Sequence, residues 1–317
     1  MMQVNRRGLL AGSAACAAGL VLPGVSRASA SNSAAGTPVA TIPSVGTSGP
    51  DSRLIEGIIW QPHLSQLELW GEWERLGAST LMVQWIVADG QAYMPGLGLP
   101  TVEDPPNWAR IVKEPWAQKV ILGLATRLQE PVARLDVVGL VDLSARIAKQ
   151  PLAVRPSAYY FPVEVDPSWK EATAMGPLLK DLPRPLWISA YDNNNVGPQP
   201  FAEWISGWLP ADVGLMFQDG VGLHIRTAQG ARTYGEALCE RLGTARFTMI
   251  AEAFRPGPGD TMRSASLEEL GPQLQAYQGF EVLVFDGPTY LNRKLIYGLE
   301  HEYMKLGAPA KPEESAG

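Results

Sequence analysis

The stretch Val213-Gly214-Leu215-Met216-Phe217-Gln218-Asp219-Gly220-Val221-Gly222 changes character halfway along. Its first five residues form a short apolar run, the pattern of a strand covered on both faces. An amide, a carboxylate and glycines follow, and a helical pattern comes next, over about 232–242. A buried strand with a polar tip, a glycine turn and a helix make one βα unit. The same order recurs seven more times, with predicted strands at 55–60, 80–87, 119–124, 158–163, 186–190, 246–251 and 281–285.

Between the strands, apolar residues recur at helical spacing. Leu64, Leu67, Trp70 (or Leu69) and Trp73 predict a helix that closes at Leu76 and Gly77. Asn107 is placed to cap a helix carrying Trp108 and Ile111. Further helices are predicted over 137–150 and 169–179, and through Phe201, Trp204, Ile205 and Trp208. Ser266 and Glu269 have capping-box spacing ahead of Leu267, Leu270 and Leu274, and the last helix carries Leu291, Leu295 and Leu299. Gln91 to Pro106 is a long loop broken by prolines and glycines, a length more often found at functional sites.

Eight strand–helix units predict an α/β fold, a single (β/α)8 TIM barrel, over residues 54–307. That is about 255 residues, close to the usual size of such a barrel. A doubly wound open sheet would place a glycine-rich phosphate turn after an early strand, and no such turn is present.

The flanks read differently. Residues 1–30 open with Arg6-Arg7, run through an Ala/Gly-rich apolar stretch and reach Ala28-Ser29-Ala30. This is the pattern of a cleaved twin-arginine signal, and it predicts passage through the twin-arginine export machinery to the periplasm or beyond. Residues 31–53 read as a flexible linker and 308–317 as a disordered tail. After cleavage no membrane association is expected.

The formal charge is −6, and loss of three arginines with the signal makes it −9. An acidic body opposes nucleic acid as a partner. Cys16 lies in the signal, which leaves Cys239 alone and unable to form an intrachain disulfide.

Barrel enzymes work at the C-terminal ends of their strands. The residues predicted there are Gln61 and His63, Gln84 and Asp89, Glu164 and Asp166, Tyr191 and Asp192, Gln218 and Asp219, Glu252, and Asp286. The three histidines, His63, His224 and His301, fall in different units, so no metal cluster is expected. Lys119 begins its strand instead of ending it, which opposes Schiff-base chemistry. Asp286-Gly287 sets a carboxylate where a phosphate site would need a glycine-rich cradle. No cofactor is expected.

Paired carboxyls without a metal suit glycoside hydrolysis, in which one donates a proton and the other acts as nucleophile or base. Trp60, Trp85, Tyr160 and Tyr191 lie near the same ends and are candidate platforms for sugar rings. Gln61, Gln84, Asp192, Gln218, Asp219 and Asp286 are candidate hydroxyl contacts.

Ile59-Trp60-Gln61-Pro62, Val83-Gln84-Trp85 and Phe217-Gln218-Asp219-Gly220-Val221-Gly222 resemble the bacterial domain-of-unknown-function 4434 family. The resemblance implies a barrel related to glycoside hydrolases. In the wider superfamily of retaining barrel glycosidases, the acid/base glutamate follows strand four and the nucleophile follows strand seven. Those positions match Glu164 and Glu252 here. Val163 stands where that superfamily usually has asparagine, so Asp219 and Asp286 stay open as alternative carboxylates. The chain is expected to be a glycoside hydrolase-like barrel acting on a polysaccharide or oligosaccharide. The alternative is a non-catalytic barrel that binds polysaccharide in envelope or exopolysaccharide assembly.

Overall fold

The computed structural model describes residues 53–259 and 261–304. The predicted signal, the tail and nearly all of the linker lie outside these residues.

Eight parallel strands close into a barrel: β1 (Gly57–Trp60), β2 (Thr80–Val83), β3 (Lys119–Gly123), β4 (Ala158–Val165), β5 (Leu186–Ala190), β6 (Val213–Gln218), β7 (Phe247–Glu252) and β8 (Val282–Phe285). Each pairs with its neighbours in sequence, and β1 closes on β8 with Gly57 opposite Leu283. The fold is the predicted single (β/α)8 barrel.

Side chains on each strand alternate between two apolar layers, as a pleated strand requires. Ile59, Met82, Tyr160, Trp187, Met216, Ile250 and Leu283 share the inner cluster. Ile58, Leu81, Phe161, Ile188, Phe217, Met249 and Val284 belong to the outer cluster, under the helices. This parity decides what each strand tip presents. Gln218 follows Met216 by two residues and Glu252 follows Ile250 by two, so both continue the inner row. Glu164 and Tyr191 do the same for β4 and β5. Trp60 and Asp219 have the opposite parity.

The helices form where caps and burial agree. Asn107 accepts from the Arg110 N–H at 3.1 Å, Thr227 caps Ala228–Leu242, and Ser266 with Glu269 completes its capping box ahead of Leu267–Ala276. Val137–Ile147 buries Leu140, Val141, Ser144 and Ile147.

Three expectations need correction. The helix through Leu64 and Trp70 does not form, and only a short 3-10 turn, Trp73–Leu76, appears there. Leu64 and Trp70 are 64% and 66% exposed, so their spacing marks no buried stripe. Backbone carbonyls of that segment are instead taken by side chains: Leu69 by Arg110 at 2.6 Å and Gly71 by Trp116 at 3.1 Å. The segment 169–179 is broken into single turns around Gly176 and Pro177, since proline cannot donate to a continuing helix.

The predicted strand 80–87 splits. Val87–Ala88 leaves the barrel and pairs with Gln91–Ala92 and Ala125–Thr126. Asp89 and Gly90 both have positive φ, the two-residue turn that Asp-Gly favours. Asp89 is therefore a hairpin residue, and the long loop after it begins as a strand.

Candidate active site at the barrel mouth

Two features of the β6 sequence build the floor of the site. Asp219 is wholly buried, pointing away from the barrel axis. Its Oδ1 accepts from the Val221 N–H at 3.1 Å and the Glu252 N–H at 3.3 Å. Its Oδ2 accepts from the Tyr277 hydroxyl at 2.8 Å and from Gln273 Nε2, both on the segment packed outside β7. Burial pushes its carboxyl above the usual carboxylate range, and these donors pull it back down. Asp219 thus ties the tip of β6 to the tip of β7 and lies outside the lining of the mouth cavity.

Gly220, with φ of +67°, turns the chain back so that Gly222 meets Glu252. The Gly222 N–H donates to Glu252 Oε2 at 2.8 Å. A Cβ on residue 222 would lie 2.9 Å from that same oxygen, which is why the position needs glycine. Glu252 is 2% exposed and is held at its backbone by Asp219 and at its carboxylate by Gly222. Arg255 reaches the Glu252 backbone carbonyl at 3.0 Å, and also Gln273 at 2.6 Å.

At the mouth, a cavity of about 430 Å³, its open side included, is lined by Glu164, Tyr191, Asp192, Gln218 and Glu252. Five of the twelve site residues expected from sequence are therefore brought together. Glu130, Arg226, Gly220, Leu223 and Ile225 complete the lining.

Tyr191 is bound on both sides. Its hydroxyl accepts from Arg134 Nη2 at 3.0 Å and donates to Glu130 Oε1 at 2.7 Å. Arg134 is ion-paired to Glu130 and also donates to the Glu164 backbone carbonyl at 3.3 Å. Burial, and then the neighbouring Glu164 charge, push the Glu130 carboxyl up to about 7, while Arg134 and Tyr191 act in the opposite sense. Burial and the Glu130 charge push the Tyr191 hydroxyl well up.

Asp192 turns its Oδ2 to the Tyr234 hydroxyl at 2.7 Å, and its backbone carbonyl accepts from Arg226. Burial and Asp192 push Tyr234 up to about 12. Among the described residues, Asp192 Oδ1 and Gln218 Nε2 are buried without a hydrogen-bond partner. An acceptor and a donor left open beside one cavity are fitted to a hydroxyl-bearing ligand or water.

The other expected residues do not line this cavity. Trp60 is fully buried in the outer layer against Trp108, with ring centroids 5.8 Å apart, so it offers no face to a sugar. Trp85 donates to the Pro62 carbonyl at 3.0 Å and packs with Tyr93 and Val102. Tyr160 is 1% exposed inside the barrel, its hydroxyl 2.6 Å from Ser189 Oγ. Asp286 is taken up by the Thr289 hydroxyl at 2.7 Å and the Gln61 N–H at 3.4 Å. Gln84 is buried with its Oε1 unpartnered among the described residues, away from this lining. Asp166 is 1% exposed and shapes its own turn, accepting from the Ser168 and Asn193 N–H groups.

Sequence reasoning missed Glu130 and Arg226. Glu130 opens the short helix Glu130–Leu135 just past β3, with Pro131 behind it. A glutamate starting a helix beyond a strand tip was the available signal. Among the described residues no group of three or more His, Cys, Asp or Glu is placed to hold a metal ion. No helix among them is long and apolar enough to cross a membrane.

No family model matches the chain. It is similar to the uncharacterized protein YbcH of Escherichia coli (strain K12), 24% identical over 251 residues that cover 67% of this chain and 81% of that protein. Among solved structures it is similar to the glycoside hydrolase domain of PgaB (BpsB) from Bordetella bronchiseptica. That match has 13% identity and a TM-score of 0.47, and covers 78% of this chain and 98% of that domain. A likeness of that size carries no functional argument.

Proposed function

We propose that the mouth cavity binds a saccharide and that the protein is a glycosidase, with Glu164 as acid/base and Glu252 as nucleophile or base. The observation that carries this reading is that Glu164 and Glu252, from β4 and β7, line one cavity. Glycoside cleavage needs two carboxyls flanking the scissile bond and no metal. Glu252 is fixed by the Gly222 N–H at one carboxylate oxygen. Gln218 and Asp192 supply a donor and an acceptor for hydroxyls, and Tyr191 the one expected aromatic at the cavity. The resemblance to the domain-of-unknown-function 4434 family points the same way. The arginine pair Arg6-Arg7 and the Ala28-Ser29-Ala30 site support action on a polysaccharide in the periplasm or outside the cell.

The test is reducing-sugar release from a panel of polysaccharides by wild type and Glu252→Gln side by side. Release by the wild type that falls to background in the variant supports the reading, and equal release overturns it. The second reading, binding without cleavage, is favoured by the 2% exposure of Glu252. It is supported by retention on a glycan array that Glu252→Gln leaves unchanged, with no reducing ends released.

A further inference from the structure

Both backbone groups of Glu252 are held by side chains outside the mouth cavity. Its N–H donates to Asp219 Oδ1 at 3.3 Å, and its carbonyl accepts from Arg255 Nη1 at 3.0 Å and from Gln273 Nε2 at 3.3 Å. Gln273 lies on the helix Leu267–Ala276 and is 1% exposed. Its Oε1 accepts from Arg255 Nη2 at 2.6 Å, and its Nε2 also donates to Asp219 Oδ2. Chemistry dictates that orientation. A guanidinium only donates, so the amide oxygen faces Arg255 and the amide nitrogen faces Asp219. Asp219 and Arg255 are buried as well, and neither lines the cavity. An amide suits a place between a buried acceptor and a buried donor. A carboxylate there could not donate to Asp219, and an ammonium could not accept from Arg255.

We infer that Gln273 is a positioning residue for Glu252: its amide bridges Asp219 and Arg255, and the three side chains fix the tip of β7 so that the Glu252 carboxylate meets the Gly222 N–H. The consequence for cleavage rests on the glycosidase reading, whereas the positioning does not. Gln273 does not line the cavity, so it acts through the Glu252 backbone and through Asp219. Asp219 in turn accepts from the Val221 N–H at 3.1 Å, one residue before Gly222. The bridge therefore bears on both partners of the bond between Gly222 and Glu252 Oε2, 2.8 Å long. It secures the backbone that carries the carboxylate and the turn that carries its donor. A reacting group misplaced by about 1 Å can cost on the order of 10²-fold in rate. A substrate that binds elsewhere along the cavity wall is held as before, so the loss falls on kcat and little on KM.

The experiment follows amide hydrogen exchange by NMR in the full ¹⁵N-labelled chain, beside steady-state kinetics of reducing-sugar release, for wild type, Gln273→Glu and Gln273→Met. Gln273→Glu loses the donor and sets a second carboxyl against Asp219. Gln273→Met loses the donor and the acceptor at similar side-chain length. In both variants, exchange at the Gly222 and Glu252 N–H groups should quicken by roughly 10-fold or more, while Met82 on β2 stays as in wild type. In both, kcat should fall by roughly 10–100-fold with KM within about twofold. A side chain that merely filled space under the helix would lower Tm without singling out these two amides. Exchange at Gly222 and Glu252 that keeps pace with Met82 in both variants overturns the inference, whatever the change in Tm. Should Gln273→Glu fail to fold, Gln273→Met decides alone. Faster exchange confined to Gly222 and Glu252, in a chain whose wild type releases no reducing sugar, supports the positioning and sinks the glycosidase reading.

Discussion

Each end of the barrel holds a pair of glutamates, and in each pair one member is pushed up to about 7: Glu130 at the mouth and Glu281 at the base. The causes match, burial first and then the neighbouring carboxylate, Glu164 or Glu56. The surroundings differ. At the base, Glu56 accepts from Arg53 at 2.8 Å, Thr80 at 3.0 Å and Lys119 at 3.3 Å, a set that closes on itself between the strand starts. At the mouth, Arg134 is ion-paired to Glu130 and donates to the Glu164 backbone carbonyl, and both glutamates line a cavity that Glu252 also lines. A shifted carboxyl is therefore no mark of function by itself. What separates the two ends is whether the pair faces a space that a ligand can enter.

Changes at the mouth should act on turnover and changes at the base on stability. The largest effect is expected from Glu164→Gln, which should lower kcat/KM by roughly 10²–10⁴-fold with little change in Tm, as for loss of a general acid. Steady-state kinetics with a thermal melt on the same sample checks this. Next comes Asp219→Ala, which takes the acceptor from the buried Tyr277 hydroxyl and one of two acceptors from Gln273 Nε2. It should cost about 1–3 kcal/mol in urea unfolding and also lower kcat, since Asp219 holds Glu252.

Glu281→Gln sharpens the contrast. The folded carboxyl, near 7, holds its proton more tightly than the unfolded one, near 4.5, so the folded state binds more protons between these values. Wild-type stability should therefore fall as pH rises from about 4.5 to about 7 through this group. The variant should flatten that slope and leave kcat unchanged, as urea unfolding across this pH range will read. The smallest effect is expected from Tyr160→Phe, which removes the bond to Ser189 inside the barrel. It should cost about 0.5–1.5 kcal/mol by urea unfolding and leave KM unaltered.

The fold was largely readable because buried parallel strands write themselves as apolar runs with polar ends. The site was readable only in part, and strand parity explains much of the gap. Gln218 and Asp219 are adjacent, yet one continues the inner row of Met216 and the other turns under Gln273 and Tyr277. The same alternation takes Trp60 out to Trp108. Glu130 was hidden for a different reason. Arg134 lies four residues on along the same short helix, but Tyr191 and Glu164 come from two other elements, and nothing local to residue 130 announces those two. The missing helix at Leu64 and Trp70 shows the reverse error, a helical spacing that no neighbour buries.

The most direct test of the mouth as the working end is a paired assay of Glu252→Gln and Glu281→Gln for reducing-sugar release, alongside wild type at pH 7. The account predicts release by wild type and Glu281→Gln alike, and background levels from Glu252→Gln. Undiminished release by Glu252→Gln, or its loss in Glu281→Gln while the protein stays folded, would contradict it.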